Sequence, residues 1–214
     1  MILSIIISSV VFGCAAFLAM QLSEWLGTSS NHARLDVDQR SVQGLTIVLT
    51  LCTALIGGIL ASRLVAIEPF VTLGVVCVAL CAAWYSDTCF GYIPDYFTLL
   101  PLGLLILIAV FERHFNVFLI WALLWPAFVL FVPFGIAAAL SKGKGMGWGD
   151  SKLAALGGAV LGFEMGLLTF AGACLALVAV AWIRGKRTTP VAFAPYLAVA
   201  IVLGVLVRVV LSTT

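Results

Sequence analysis

The sequence contains very little charge. Asp, Glu, Lys and Arg together make up 9% of its 214 residues, whereas 64% of the residues are hydrophobic. A soluble domain usually carries about 25% charged residues, so this chain has too few to cover its surface in water. The apolar runs are continuous rather than alternating, which excludes a membrane β-barrel. The sequence therefore predicts an integral membrane protein with no sizeable soluble domain.

The sequence also lacks metal-binding and redox patterns. Its six cysteines include no Cys-x-x-Cys pair, and most lie in apolar runs, where a thiol behaves as a small hydrophobe. The two histidines, His32 and His114, are far apart in polar segments. We therefore predict no metal site and no cofactor. The expected surroundings are membrane lipid, and no nucleic-acid partner is predicted.

Long apolar runs follow one another along the chain. A membrane-spanning helix needs about 20 apolar residues. The candidate spans are 1–22, 46–66, 70–86, 97–111, 117–140, 165–183 and 193–212. The stretch 151–183 would form a helix of about 50 Å, too long for a hydrocarbon core of about 30 Å. We predict a break near Gly162 to Glu164, because Glu164 is costly at mid-membrane. The short segment 151–162 then brings the all-α fold to about eight transmembrane helices.

The basic residues are distributed unevenly between the predicted loops. With eight spans, four loops share one face of the membrane: 23–45, 87–96, 141–152 and 184–191. They hold eight of the 11 Lys and Arg residues, namely Arg34, Arg40, Lys142, Lys144, Lys152, Arg184, Lys186 and Arg187. The positive-inside rule predicts that this face is cytoplasmic. We expect a single membrane domain over 1–214, with two N-terminal spans in 1–69, a short polar cytoplasmic loop at 23–45, and a core over 70–212.

Three acids lie at span boundaries on the predicted cytoplasmic face. Asp95 follows Pro94 and is suited to capping the fourth span. Asp87 follows an apolar run and has no such structural use, and an acid at a membrane boundary is a functional candidate. Asp150 follows glycines at 143, 145, 147 and 149, whose backbone can adopt positive φ and approach a substrate closely. The alternative for Asp150 is that it caps a helix starting at Ser151.

Two carboxylates in one cleft can hydrolyse a peptide bond. They share one proton, so that one acts as base toward water while the other donates a proton to the carbonyl oxygen. This chemistry requires neither a metal nor a serine or cysteine nucleophile. Asp87 and Asp150 are the predicted pair.

Three motifs support this interpretation through a resemblance. The segment 87–95 reads Asp-Thr-Cys-Phe-Gly-Tyr-Ile-Pro-Asp, 147–153 reads Gly-Trp-Gly-Asp-Ser-Lys-Leu, and 193–198 reads Phe-Ala-Pro-Tyr-Leu-Ala. In this order they resemble the motifs of the type IV prepilin peptidases, a family of GxGD-type membrane aspartic proteases. The resemblance implies that Asp87 and Asp150 are catalytic. It assigns substrate-binding or supporting roles to Gly147, Gly149, Lys152, Pro94, Asp95 and Pro195.

The same resemblance implies a substrate class and a location. The expected substrates are type IV prepilins or pseudopilin-like proteins, whose leader peptide would be cleaved at the cytoplasmic face of a bacterial inner membrane. Long members of the family carry a cytosolic domain, often with paired Cys-x-x-Cys motifs, between their first two spans. Here the cysteine-free loop 23–45 takes that place, so the N-methyltransferase activity of the long members is not predicted.

Other kinds of protein can place acids beside glycines in a membrane. A transporter or channel would do so at broken helices, although its acids are expected near the midplane rather than at one boundary. A presenilin-like or signal-peptide-peptidase-like protease shares the GxGD aspartate, but its Tyr-Asp and Pro-Ala-Leu motifs do not occur around Asp87 and Asp150. A third alternative is a catalytically silent relative that serves in assembly. The presence of both aspartates argues against it.

Overall fold

The computed structural model describes residues 2–29, 35, 39–63, 67–112, 117–141, 147–183 and 192–211. Within these residues the chain forms seven α-helices and no strand. Their bounds are α1 (Ile2–Ser29), α2 (Gln39–Arg63), α3 (Ile67–Phe90), α4 (Tyr96–Glu112), α5 (Val117–Leu140), α6 (Trp148–Ile183) and α7 (Ala194–Leu211).

The helices confirm the predicted all-helical, polytopic membrane protein. Five helical stretches are long and apolar enough to cross a membrane, namely Leu3–Ser29, Gln39–Arg63, Phe70–Phe90, Ile120–Leu140 and Trp148–Ile183. The apolar helices Tyr96–Phe111 and Ala194–Val209 are shorter. Eight spans of membrane length are not shown, because five helical stretches reach that length among the described residues.

Helix α6 reverses its direction at Gly162. This residue has φ 77° and ψ −178°, a conformation that essentially only glycine adopts. A Cβ placed on Gly166 would lie 3.8 Å from the Cα of Gly158, whereas eight residues of a straight helix span about 12 Å. The segments 148–161 and 163–183 therefore fold back against each other. The predicted break near Gly162 is confirmed, and the first segment is about 21 Å long at 1.5 Å per residue.

The chain divides into two compact units, Met1–Phe97 with Val207–Thr214 and Thr98–Leu206. The first unit is built around Phe12 of α1. Its ring fills the space left by Gly57 of α2 and Gly74 of α3, where a Cβ would collide with it. A second cluster joins the same three helices near the end of α3, and its buried members are Met20, Val42, Leu49, Cys81, Tyr85, Cys89 and Phe90. These contacts fix the C-terminal turns of α3.

In the second unit, α5 packs directly on the first segment of α6. A Cβ on Gly158 would lie 2.6 Å from the carbonyl oxygen of Pro126, so only glycine permits this approach of the two backbones. On another side of the segment, Gly157 contacts Ile201 of α7. The ring of Phe134 in α5 lies 5.5 Å from that of Phe170 and 6.2 Å from that of Phe193. Helices α5 and α7 and the second segment of α6 thereby pack around residues 157–158 of the first segment.

The helices extend into the polar segments further than the apolar runs predict. Helix α1 continues to Ser29 and α2 begins at Gln39, so the connection is shorter than the predicted loop 23–45. The reason lies in packing, since Gly27 abuts the ring of Phe90 and Ser23 is fully buried. Most of the basic residues behind the predicted orientation lie outside the described residues, as do His32 and His114.

Candidate active site

Asp87 lies in the last turn of α3. The apolar run 70–86 had placed it just beyond the helix, but α3 continues to Phe90 because Cys89 and Phe90 are buried in the cluster described above. The helix ends at Gly91, whose φ is 62° and whose N–H donates to the carbonyl oxygen of Asp87 at 2.9 Å. This is the left-handed glycine cap that terminates many helices. Asp87 itself is half-buried.

Hydrogen bonds hold the connection between α3 and α4. The Ser86 hydroxyl donates to the carbonyl oxygen of Tyr92 at 2.6 Å, and the Leu35 N–H donates to that of Cys89 at 2.9 Å. Pro94 is buried, and its carbonyl oxygen accepts from the Phe97 N–H at 3.1 Å. Asp95 is exposed and immediately precedes α4, which is the predicted N-cap position. Ser86, just before Asp87, and Cys89, two residues after it, thus both take part in hydrogen bonds that hold the last turn of α3.

Asp150 is the third residue of α6 and is 8% exposed. The alternative that it caps a helix starting at Ser151 is wrong, because α6 begins at Trp148 and Gly147 takes the position before it. The Gly147 N–H instead donates to Oδ2 of Asp150 at 3.2 Å. A third-position acid that binds the N-cap N–H is one half of a capping box. The carboxylate is therefore oriented by its own helix.

The expected positive φ angles do not occur at Gly147 and Gly149, the two glycines of this motif that the structure describes. Among the described residues, positive φ is found at Gly91 and Gly162, and Gly149 lies inside α6. A Cβ on Gly147 would lie 3.4 Å from Oδ2 of Asp150, so glycine there leaves room for the carboxylate to reach the N–H. The glycines at 143 and 145 lie outside the described residues.

The remaining predicted site residues belong to the second unit. Lys152 is half-buried and follows Asp150 by two positions in α6. Pro195 occupies the first turn of α7, where a proline is tolerated because its missing N–H would have no helical partner. The preceding Phe193 accepts hydrogen bonds at its carbonyl oxygen from Tyr196 at 3.1 Å and Leu197 at 3.2 Å. Asp87, Pro94 and Asp95 belong to the first unit.

The two aspartates occupy opposite poles of their helices. Asp150 lies in the first turn of α6. Asp87 lies in the last turn of α3. Among the described residues, no group of three or more His, Cys, Asp and Glu is arranged to hold a metal ion. Each unit thus holds one candidate acid in a terminal turn of a helix.

Apolar helices long enough to span a membrane define a helical membrane protein, and two of them carry an acid in a terminal turn. Residues 74–183, just over half of the chain, match the model of the Type IV leader peptidase family, and the chain belongs to that family. No curated protein and no solved structure matches it. Family membership confirms the resemblance drawn from the motifs and implies peptidase activity. The matched range contains both Asp87 and Asp150 and excludes Pro195.

Some features of the candidate site were missed from sequence. The glycine cap at Gly91 had a recognisable signal, since glycine directly after an apolar helical run is the commonest helix terminator. The hydrogen bond from Ser86 to Tyr92 had no signal in the sequence, because it depends on how the chain turns after Gly91. Ser151 is 0% exposed. Its burial follows from the packing of α6, and no sequence pattern indicates it.

Proposed function

We propose that the protein is an aspartic endopeptidase that removes the leader peptide of type IV prepilin-like or pseudopilin-like proteins. Asp87 and Asp150 form its catalytic pair. The observation that carries the proposal is the family match over 74–183, which contains both acids, each in a terminal turn of an apolar helix. This match also favours a type IV leader peptidase over a transporter and over a presenilin-like protease.

In the proposed reaction Asp150 acts as the base and Asp87 as the acid. Asp150 removes a proton from water as the water oxygen bonds to the scissile carbonyl carbon, and Asp87 donates its proton to the carbonyl oxygen. The tetrahedral intermediate then collapses as one of its hydroxyl groups returns a proton to Asp87 and re-forms the C=O bond, the C–N bond breaks, and the amine leaves with the proton that Asp150 took up.

The proposed site faces the cytoplasm. Two spans separate Asp87 from Asp150, so both acids return to the same face if 97–111 and 117–140 each cross the membrane. The bias in basic residues supports a cytoplasmic location for that face. There the basic leader of an unprocessed subunit meets the site, its apolar segment remains in the lipid, and water is accessible for hydrolysis.

Cleavage is tested by co-expression with a candidate prepilin. We expect the prepilin to shift to the mobility of its mature form only when the protein is present. Mass spectrometry of the product then gives the cleaved bond, which is expected between the leader and the apolar segment. A prepilin that keeps its full length, with the peptidase present in the membrane fraction, would contradict the proposed substrate class.

The orientation is tested by labelling single cysteines in a cysteine-free background. Cysteines at positions 141 and 189 are expected to react with an impermeant maleimide only from the cytoplasm, and one at position 116 only from outside. Labelling of position 189 from outside would mean that the segments 148–161 and 163–183 do not both cross the membrane. Labelling of position 141 from outside would place Asp87 and Asp150 on opposite faces and refute the catalytic pair.

A further inference from the structure

The buried hydroxyl of Ser86, next to Asp87, bonds across the end of α3. Its Oγ donates to the carbonyl oxygen of Tyr92, six positions further along the chain, at 2.6 Å. Ser86 is 0% exposed, and Tyr92 directly follows the glycine cap at Gly91. The bond therefore ties the last turn of α3 to the connection that follows the helix.

Threonine hydroxyls nearby bond in the opposite direction, to the preceding turn of their own helix. Thr53 Oγ1 donates to the carbonyl oxygen of Leu49 at 2.6 Å. Thr88 Oγ1, in the same helix as Ser86, donates to that of Trp84 at 2.9 Å. This local bond is the usual way in which a helix accommodates a hydroxyl. The Ser86 hydroxyl instead binds a carbonyl oxygen beyond the helix, so it fixes the path of the chain after the helix end.

Two backbone hydrogen bonds hold the same helix end. The Gly91 N–H donates to the carbonyl oxygen of Asp87, and the Leu35 N–H donates to that of Cys89, each at 2.9 Å. The last carbonyl groups of a helix lack partners within it, and helix ends fray unless other groups bind them. The Ser86 bond adds to these two, because it holds the chain beyond Gly91 against the helix.

We infer that Ser86 is a positioning residue for the carboxyl group of Asp87. A catalytic group has to be held close to its productive geometry, and a displacement of about 1 Å can cost about 100-fold in rate. Asp87 lies in the last turn of α3, where the hydrogen bonds across the helix end hold its backbone. Ser86 is buried and touches neither water nor substrate, so it acts through its neighbour Asp87. This inference rests on the proposed peptidase function.

The role predicts a loss of turnover when the Ser86 hydroxyl is removed. Ser86→Ala should lower kcat for prepilin cleavage by about 10- to 100-fold when it is measured well below the Tm, because Asp87 is no longer held in place. KM should stay within about threefold, since the buried hydroxyl does not contact the substrate. Ser86→Thr, which keeps the hydroxyl, should recover most of kcat.

Thr53→Val is the matched control for stability. Thr53 is also 0% exposed, lies in the same unit, and donates its bond to Leu49 over the same 2.6 Å. Its Oγ1 also lies 2.9 Å from Cys81 Sγ, so Thr53→Val should lower the Tm at least as much as Ser86→Ala. The Thr53 bond does not span the end of α3, so this variant should keep kcat within about twofold of the wild type.

Substitutions at Gly91 release the same helix end without touching Ser86. A Cβ on Gly91 would lie 3.6 Å from Leu35 Cδ1, which is an ordinary contact, so the φ of 62° opposes a side chain more than any collision does. Gly91→Ala should therefore lower kcat. Gly91→Asn should lower it less, because asparagine tolerates this conformation better. Wild-type kcat in Gly91→Ala would show that Asp87 does not depend on how the helix end is held, and would overturn the role of Ser86.

The outcomes separate this inference from the proposed function. If the wild type cleaves and Asp87→Asn does not, the peptidase stands, and a Ser86→Ala variant with kcat within about twofold of the wild type overturns only the role of Ser86. An equal loss of kcat in Ser86→Ala and Thr53→Val also overturns it, because the loss then follows stability rather than the position of Asp87. If Asp87→Asn cleaves normally, the proposed catalytic pair fails, and the role of Ser86 fails with it.

Discussion

Replacing either Asp87 or Asp150 by asparagine is expected to abolish prepilin cleavage, with a loss of about 100- to 10,000-fold in kcat. Asparagine keeps the shape of the side chain, and at position 150 its carbonyl oxygen can still accept the bond from the Gly147 N–H. Both variants should therefore fold and insert as the wild type does. What they lose is the ability to hold and transfer a proton. Because the two acids act as a unit, the double variant should be little slower than either single one.

Asp95→Asn is the matched control for these variants. Asp95 lies in the connection that follows the helix of Asp87, is exposed, and immediately precedes α4. An N-cap requires a side-chain acceptor and not a charge, so this variant should keep most of its activity. Full activity in purified Asp87→Asn or Asp150→Asn would refute the catalytic pair. A loss at Asp95→Asn as deep as that at Asp87→Asn would move the first catalytic carboxylate to position 95.

Gly158→Ala is expected to destabilise the second unit more than most single methyl additions. Its Cβ would lie 2.6 Å from the carbonyl oxygen and 2.9 Å from the carbonyl carbon of Pro126, and 3.0 Å from the Cα of Ala127. All three are backbone atoms of α5, so no rotation of a side chain can relieve the overlap. Forcing helices apart in a packed core typically costs about 1–3 kcal/mol, which corresponds to a Tm lower by roughly 2–10 °C in a chain of this size. Thermal unfolding in detergent measures it.

Gly172→Ala provides the control within the same helix. Gly172 is exposed, and an added Cβ would meet nothing within 4 Å. Alanine is favoured over glycine inside a helix by about 0.5–1 kcal/mol, so this variant should keep or raise the Tm. If Gly158→Ala and Gly172→Ala unfold at the same temperature, α5 and α6 do not pack as closely as the structure shows.

The sequence by itself determined the class of the protein, its family and its break in α6. The low charge and the continuous apolar runs leave only a bundle of membrane helices, because lipid cannot satisfy an open backbone. The motifs around Asp87 and Asp150 identified the family, since they bring specific residue types to fixed spacings. The break near Gly162 was predictable because a helix over 151–183 is longer than the membrane is thick and contains Glu164.

Only the tertiary structure decided where the helices end and how the candidate acids are held. Apolar content ends α3 before Asp87, but the burial of Cys89 and Phe90 continues the helix and places Asp87 in its last turn. Likewise α6 begins at Trp148 rather than at Ser151, which turns Asp150 from a cap into a third-position acid bonded to Gly147. The pattern of apolar residues predicts which segments lie in the lipid. It does not record the contacts between helices, which extend a helix into a polar segment and bury a hydroxyl such as that of Ser151.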